Sequence, residues 1–170
     1  MSGSRPDSSG LRRVMVAALI SCAGCAYSFS SGLPGHIRTV AVPLFANETS
    51  EFGVAEEITD GLVAALVRDG TLRVVADEND ASSVLWGTVR VYSERPQSFD
   101  RNENVQSFII QITVEVRFHD RVRDEALWEA SMVTGSAVYP NTGPDDRTTG
   151  LEEAIDQVVQ EVLAGMVAGW

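Results

Sequence analysis

QSFIIQITVEVRF, residues 106–118, fixes the architecture of this chain. Phe108, Ile110, Ile112, Val114, Val116 and Phe118 fall on one side of a strand, and Ser107, Gln111, Thr113, Glu115 and Arg117 on the other. Strict period-two alternation over this length means a long strand with one buried face, the other face being wet or covered by a polar partner. The segments on either side carry the same signal. Upstream, Leu85, Gly87, Val89 and Val91 alternate with Trp86, Thr88, Arg90 and Tyr92; downstream, a turn at Asp120 to Glu125 leads into a strand from Leu127 to Tyr139. The three segments are expected to form an antiparallel meander.

The buried face needs a cover, and two helical patterns supply it. Val54, Ile58, Leu62, Ala65 and Leu66 form one stripe of a helix from about Glu51 to Arg68, with Glu56, Glu57 and Asp60 opposite and Gly70 as its stop. The loop Ala46 to Ser50 before it holds candidate caps. At the C-terminal end, Thr149 and Glu152 read as a capping box for a helix striped by Leu151, Ile155, Val158, Val159, Val162, Leu163 and Met166. A strand from Ile37 to Phe45, interrupted near Pro43, precedes the first helix, and a short strand from Leu72 to Val75 follows it. That spacing implies a βαβ unit with parallel strands. The expected fold class is α+β: a two-layer sandwich with two helices on one face of a four- to five-stranded mixed sheet.

The N-terminus reads as an export signal. Arg12 and Arg13 precede a short apolar run ending in small residues and cysteine, RRVMVAALISCAGC. The run is far shorter than the ~20 residues of a membrane-spanning helix. Residues 1–24 are expected to be a lipoprotein signal peptide, 25–35 a lipidated tether and 36–170 a single domain. Cys25, after Ala23 and Gly24, is the expected lipidation site; Cys22, after Leu19, Ile20 and Ser21, is the alternative. Several acyl chains on one cysteine would meet the two-signal requirement for stable anchoring. With both cysteines at this boundary, the domain must rest on core packing and not on disulfides.

The chain carries a net charge of −11, and its 13 basic residues are all arginine. Removing the first 24 residues takes away Arg5, Arg12, Arg13 and Asp7, a net +2, and leaves −13 on the rest. Such a field repels polyanions, so no nucleic-acid partner is expected. Chemistry is equally sparse. His36 and His119 have no histidine or cysteine near them in sequence to complete a metal site, no G-x-S-x-G elbow occurs, and no glycine-rich loop joins a strand to a helix. The acidic pairs Glu56/Glu57, Asp145/Asp146 and Glu152/Glu153 read as solvated helix starts, faces and loops. No enzyme, metal or cofactor is expected.

The order of features resembles the LptE family of outer-membrane lipoproteins. The residues that carry the resemblance are Cys25-Ala26-Tyr27-Ser28-Phe29, Leu33-Pro34, Ile37 to Phe45 (IRTVAVPLF), Asn47 and Thr49, Leu85-x-Gly87-x-Val89 and Leu127-Trp128. The resemblance implies a non-catalytic partner that plugs and stabilises an LptD-type β-barrel in lipopolysaccharide assembly. It also implies a lipid-anchored place at the outer membrane, on the periplasmic side or within a barrel lumen, and it favours Cys25 as the anchor. Lipopolysaccharide contact in that family is attributed to basic residues, for which Arg90, Arg117, Arg121 and Arg123 are the candidates here. The stretch from Thr39 to Leu66 is also similar to a βα unit of CsgG and TolB N-terminal proteins, which implies a secretion-associated or envelope-scaffold lipoprotein instead.

Overall fold

The computed structural model describes residues 33–168; the expected export signal, with Cys22 and Cys25, lies outside the described residues. In chain order the elements are β1 (Thr39–Ala41), β2 (Ala46–Asn47), α1 (Val54–Asp69), β3 (Arg73–Val74), a 3-10 turn (Glu78–Asp80), β4 (Ser83–Phe99), β5 (Val105–Asp120), β6 (Glu125–Pro140) and α2 (Asp146–Ala168). The strands make one six-stranded mixed sheet in the order β3-β1-β4-β5-β6, with β2 also pairing β4. β1 runs parallel to β3 and to β4, whereas β4, β5 and β6 form the antiparallel meander. The α+β class and the βαβ unit are as the sequence implied.

The apolar face of β5 lies under the helices. Ile110, Ile112, Val114 and Phe118 are fully buried, together with Ile58 and Leu62 of α1 and Val158 and Val162 of α2. Each such side chain stabilises the fold by about 1.5–3 kcal/mol. α2 approaches β6 so closely that a Cβ on Gly135 would fall 2.1 Å from the Ala154 carbonyl oxygen. On β4, the Phe45 ring occupies the space over Gly87 in the same way, its nearest atom 2.0 Å from where a Cβ would stand. Glycine at both positions is a condition of the helix and loop packing.

Three local expectations need correction. The strand expected over Ile37 to Phe45 is two short strands, β1 and β2, because Pro43 and its neighbours leave the ladder. This split is why the sheet has six strands and not four or five. α1 begins at Val54, where Gly53 (φ 82°) starts the helix without a side-chain cap. Asn47 instead closes a local turn, accepting from the Thr49 N–H and hydroxyl. α2 begins a turn earlier than the expected capping box, so Thr149 and Glu152 sit inside it. Asp146 holds its entry by accepting from the Thr142 N–H and hydroxyl and from the Gly143 N–H.

β4 departs from the expected alternation as well. Its register against β5 slips between Val89, opposite Val114, and Val91, opposite Thr113, so Arg90 is an extra residue. A β-bulge of this kind reverses which side chains face inward beyond it. Val89 is fully buried, but Val91 is 48% exposed and Tyr92 packs toward the core, the reverse of the simple alternation. β6 bulges as well, between Ala130 and Val133 and near Leu127.

Candidate interaction surface

Both helices lie on one side of the sheet, which leaves the opposite face of β4, β5 and β6 open. The Arg90 bulge divides that face in two. On the Phe99 side of it the face carries Val91, Ser93, Gln111, Thr113, Thr134, Ser136 and Val138, uncharged apart from Arg95. Thr113 and Thr134 face each other across the β5–β6 pair, their hydroxyls 3.3 Å apart. Ser98 and Ser107 do the same across β4–β5 at 2.6 Å. This half interleaves Ser and Thr hydroxyls with the apolar side chains of Val91, Ile109 and Val138.

The other half is ionic. The guanidinium of Arg90 donates to Glu115 (2.7 and 2.9 Å) and to Glu48 (2.5 Å), and these carboxylates raise its pKa. Arg117 pairs with Glu129 at 2.5 Å and Arg123 with Glu125 at 3.7 Å. Arg121 donates its backbone N–H to the Ser82 carbonyl, and its side chain has no ion pair among the described residues. Trp86, 37% exposed, lies 5.6 Å from the His119 ring, and a shallow depression opens between Trp86, Thr88, Glu115 and Arg117. The four arginines named from the sequence thus lie on this half and on the β5–β6 turn, three of them held by carboxylates. Exposed pairs of this type are worth only about 0–1 kcal/mol each and are readily exchanged.

Two polar clusters fix the ends of the surface, and neither was legible as a group in the sequence. At the start of the helices, Arg147 donates to Glu51, Glu94 and the Tyr92 hydroxyl, each at 2.9 Å. The Tyr92 hydroxyl also donates to Glu94 at 3.1 Å, and Tyr139 donates to the other Glu94 oxygen. Burial pushes the Glu94 carboxyl up, but the bonds from Tyr139, Arg147 and Tyr92 outweigh it and hold the group below the usual carboxylate value. Burial, then the Glu94 bond and charge, push the Tyr139 phenol up to about 12. Glu94 reaches this cluster only because the Arg90 bulge turns it inward.

At the opposite end, Asp120 is fully buried and accepts from His36 Nε2 at 2.5 Å and from the backbone N–H of Val122 (2.8 Å) and Arg123 (3.1 Å). Burial alone would raise this carboxyl; the His36 and backbone bonds prevail and lower it. His36, read as a lone residue beside the tether, is the clamp that ties the start of the domain to the β5–β6 turn. Leu33 lies at this same end, lining a groove with Leu66, Leu163 and Met166 near the C-terminal ends of the helices. The β4–β5 turn, Asp100 to Asn104, is at the other end of the sheet, where Phe99 is 58% exposed. No cluster of His, Cys, Asp and Glu suited to a metal occurs among the described residues, and no helix there is long and apolar enough to cross a membrane.

Residues 37–166 match the model of the LptE family, described as lipopolysaccharide-assembly. No curated protein matches the sequence. Among solved structures, a minor lipoprotein from Acinetobacter baumannii is similar at 19% identity, covering 78% of this chain and 92% of that one, with a TM-score of 0.52. A protein from Chlamydia trachomatis is similar at 12% identity, covering 75% and 94% with a TM-score of 0.55. A point variant of dodecameric PelC from Paraburkholderia phytofirmans is similar at 18% identity, covering 79% and 91% with a TM-score of 0.51. At such identities the likeness to these structures establishes the fold alone.

Proposed function

Since the chain belongs to the LptE lipopolysaccharide-assembly family, we propose that it is a non-catalytic outer-membrane lipoprotein that plugs and stabilises an LptD-type β-barrel. One observation carries this reading: a sheet of three long strands is covered by helices on one face only. The open face carries Ser and Thr hydroxyls among exposed valines, and Arg90 and Arg117 on it are held by carboxylates. It suits the hydrophilic inner wall of a large barrel, which alternating strands line with polar side chains. Acylation at Cys25, with Cys22 as the alternative, would hold the Leu33 end of the domain at the membrane.

Lipopolysaccharide contact is assigned in this proposal to Arg90, Arg117, Arg121 and Arg123. Arg121 is the freest of them, and a phosphate would have to displace Glu48, Glu115, Glu129 or Glu125 from the others.

The test is a photo-crosslinking residue placed in the full chain at Gln111 or Thr134, expressed in a cell that makes the cognate barrel. Adducts between these positions and lumen-facing residues of the barrel support the plug. Their absence, with the protein present in the outer membrane, refutes it. Mass spectrometry of the exported chain reports separately on the anchor: an unmodified thiol on both Cys25 and Cys22 removes lipidation from the reading.

A further inference from the structure

β6 ends the sheet: among the described residues no strand pairs with the side of β6 that faces away from β5. A 16-residue strand left open in this way is a template for another strand, and soluble proteins usually blunt it. Here the blunting is partial. Pro140 removes the donor at one end, and the bulge between Ala130 and Val133 breaks the ladder further down. Between them, the Ser136 N–H donates to Gln157 Oε1 of α2 at 3.0 Å, so it points away from β5. Alternate residues of an antiparallel strand aim their backbone groups to the same side, so Thr134 and Val138 also face outward. Gln157 therefore covers one position of the edge and leaves its two neighbours open.

Beside this edge runs a groove lined by Trp128 and Met132 of β6 and by Glu161, Ala164 and Gly165 of α2. Met132 is 78% exposed. The indole packs on Gly165, where a Cβ would fall 2.2 Å from the ring, so the groove floor is aromatic and its helical wall is made of small residues. The Glu161 carboxylate is exposed and has no ion pair or side-chain hydrogen bond among the described residues. Unpaired strand groups specify an extended backbone, the groove specifies an apolar side chain, and Glu161 specifies a positive charge.

We propose that the β6 edge from Met132 to Val138 is a docking strand for an extended segment of another protein. That segment adds to the sheet by backbone pairing, places an apolar side chain against Trp128 and Met132, and brings an arginine or lysine to Glu161. Backbone pairing gives such complexes affinity and alternate side-chain pockets give them specificity. A second copy of this chain is the disfavoured occupant, because each copy carries a net charge of −11 and an acidic groove rim. The docking strand is the sheet edge and not the open face, and it stands whether or not that face lies in a barrel.

The test uses the full chain and a capped peptide, Arg-Thr-Val-Thr-Val-Arg, followed by amide hydrogen exchange. Binding should slow exchange at Thr134 and Val138 by about tenfold or more, the signature of newly buried backbone bonds. A peptide with Glu in place of Arg should bind about tenfold more weakly, or ~1.4 kcal/mol. Thr134→Pro should abolish the protection. Glu161→Arg, a surface change that leaves the edge intact, should reverse the preference between the two peptides. Gln157→Ala should strengthen binding by freeing the covered position. Unchanged exchange at saturating peptide overturns the proposal. So does protection that appears without peptide and grows with protein concentration, which would identify a second copy as the occupant.

Discussion

Replacing Asp120 tests whether the His36 clamp holds the domain together at its Leu33 end. In the folded chain this carboxylate is fully buried and takes three donors, His36 Nε2 at 2.5 Å, Val122 N at 2.8 Å and Arg123 N at 3.1 Å. Asp120→Ala leaves all three without their acceptor. Hydrogen bonds to a buried carboxylate are worth about 1.5–3 kcal/mol each, but His36 is itself a quarter exposed (25%) and can turn to water. The expected loss is therefore about 3 kcal/mol at neutral pH, equivalent to a fall in Tm of roughly 10 °C for a domain of this size. Asp120→Asn, which keeps one acceptor oxygen, should lose about half as much.

The pH dependence gives the same group a second signature. The folded carboxyl binds its proton less readily than the unfolded one, whose ordinary value is 3.8. Its contribution is thus complete above about pH 4 and disappears as pH falls through the lowered folded value. Thermal unfolding followed by circular dichroism, at pH 7 and in steps between about pH 5 and 2.5, measures both effects. The wild-type chain should lose more stability across the acid range than Asp120→Asn does. If Asp120→Ala at pH 7 is no worse than the exposed control Asp60→Ala, the clamp has no energetic role and the reasoning fails.

Other substitutions probe the rest of the frame. Gly135→Ala should destabilise by about 2–3 kcal/mol in chemical denaturation, since the Ala154 carbonyl 2.1 Å away is backbone and cannot rotate aside; a neutral effect would refute the close helix approach. Val89→Ala should cost about 2 kcal/mol and Val91→Ala under about 0.5 kcal/mol by the same measurement, because the bulge buries one and exposes the other. Equal losses would mean that the alternation continues unbroken. Arg147→Ala should cost about 1–2 kcal/mol at pH 7 and less below pH 4. The acid-side recovery follows because Glu94, deprived of its partner, protonates more easily there; an Arg147→Ala loss that is constant with pH would exclude the pairing as its source.

Much of this architecture was readable in residue order. The six alternating apolar residues from Phe108 to Phe118 fixed which face of β5 is buried, and the stripes at Ile58–Leu62 and Ile155–Val162 fixed the helices that cover it. What escaped was set by distance in sequence or by a single extra residue. Glu94 and Arg147 stand 53 positions apart, and His36 and Asp120 stand 84 apart, so neither pair leaves a local signal. The bulge at Arg90 is silent too, because a β-branched Val91 suits either side of a strand. The helix starts were misplaced because glycine with positive φ at Gly53, and Asp146 with its turn contacts, took the work assigned to Asn, Ser and Thr residues nearby.

The extra residue at position 90 also sets what the gene can tolerate. Losing Arg90 would only straighten the strand and leave Val89 and Tyr92 facing inward, whereas gaining one codon between Val91 and Tyr92 would swap the two flanks of the outer half of β4. Tyr92 and Glu94 would leave Arg147 for water, and Ser93 and Arg95 would be driven beneath the helices. Insertions in this chain should therefore be found in its turns and be purged from the outer half of β4, however permissive that strand is to exchanging one side chain for another.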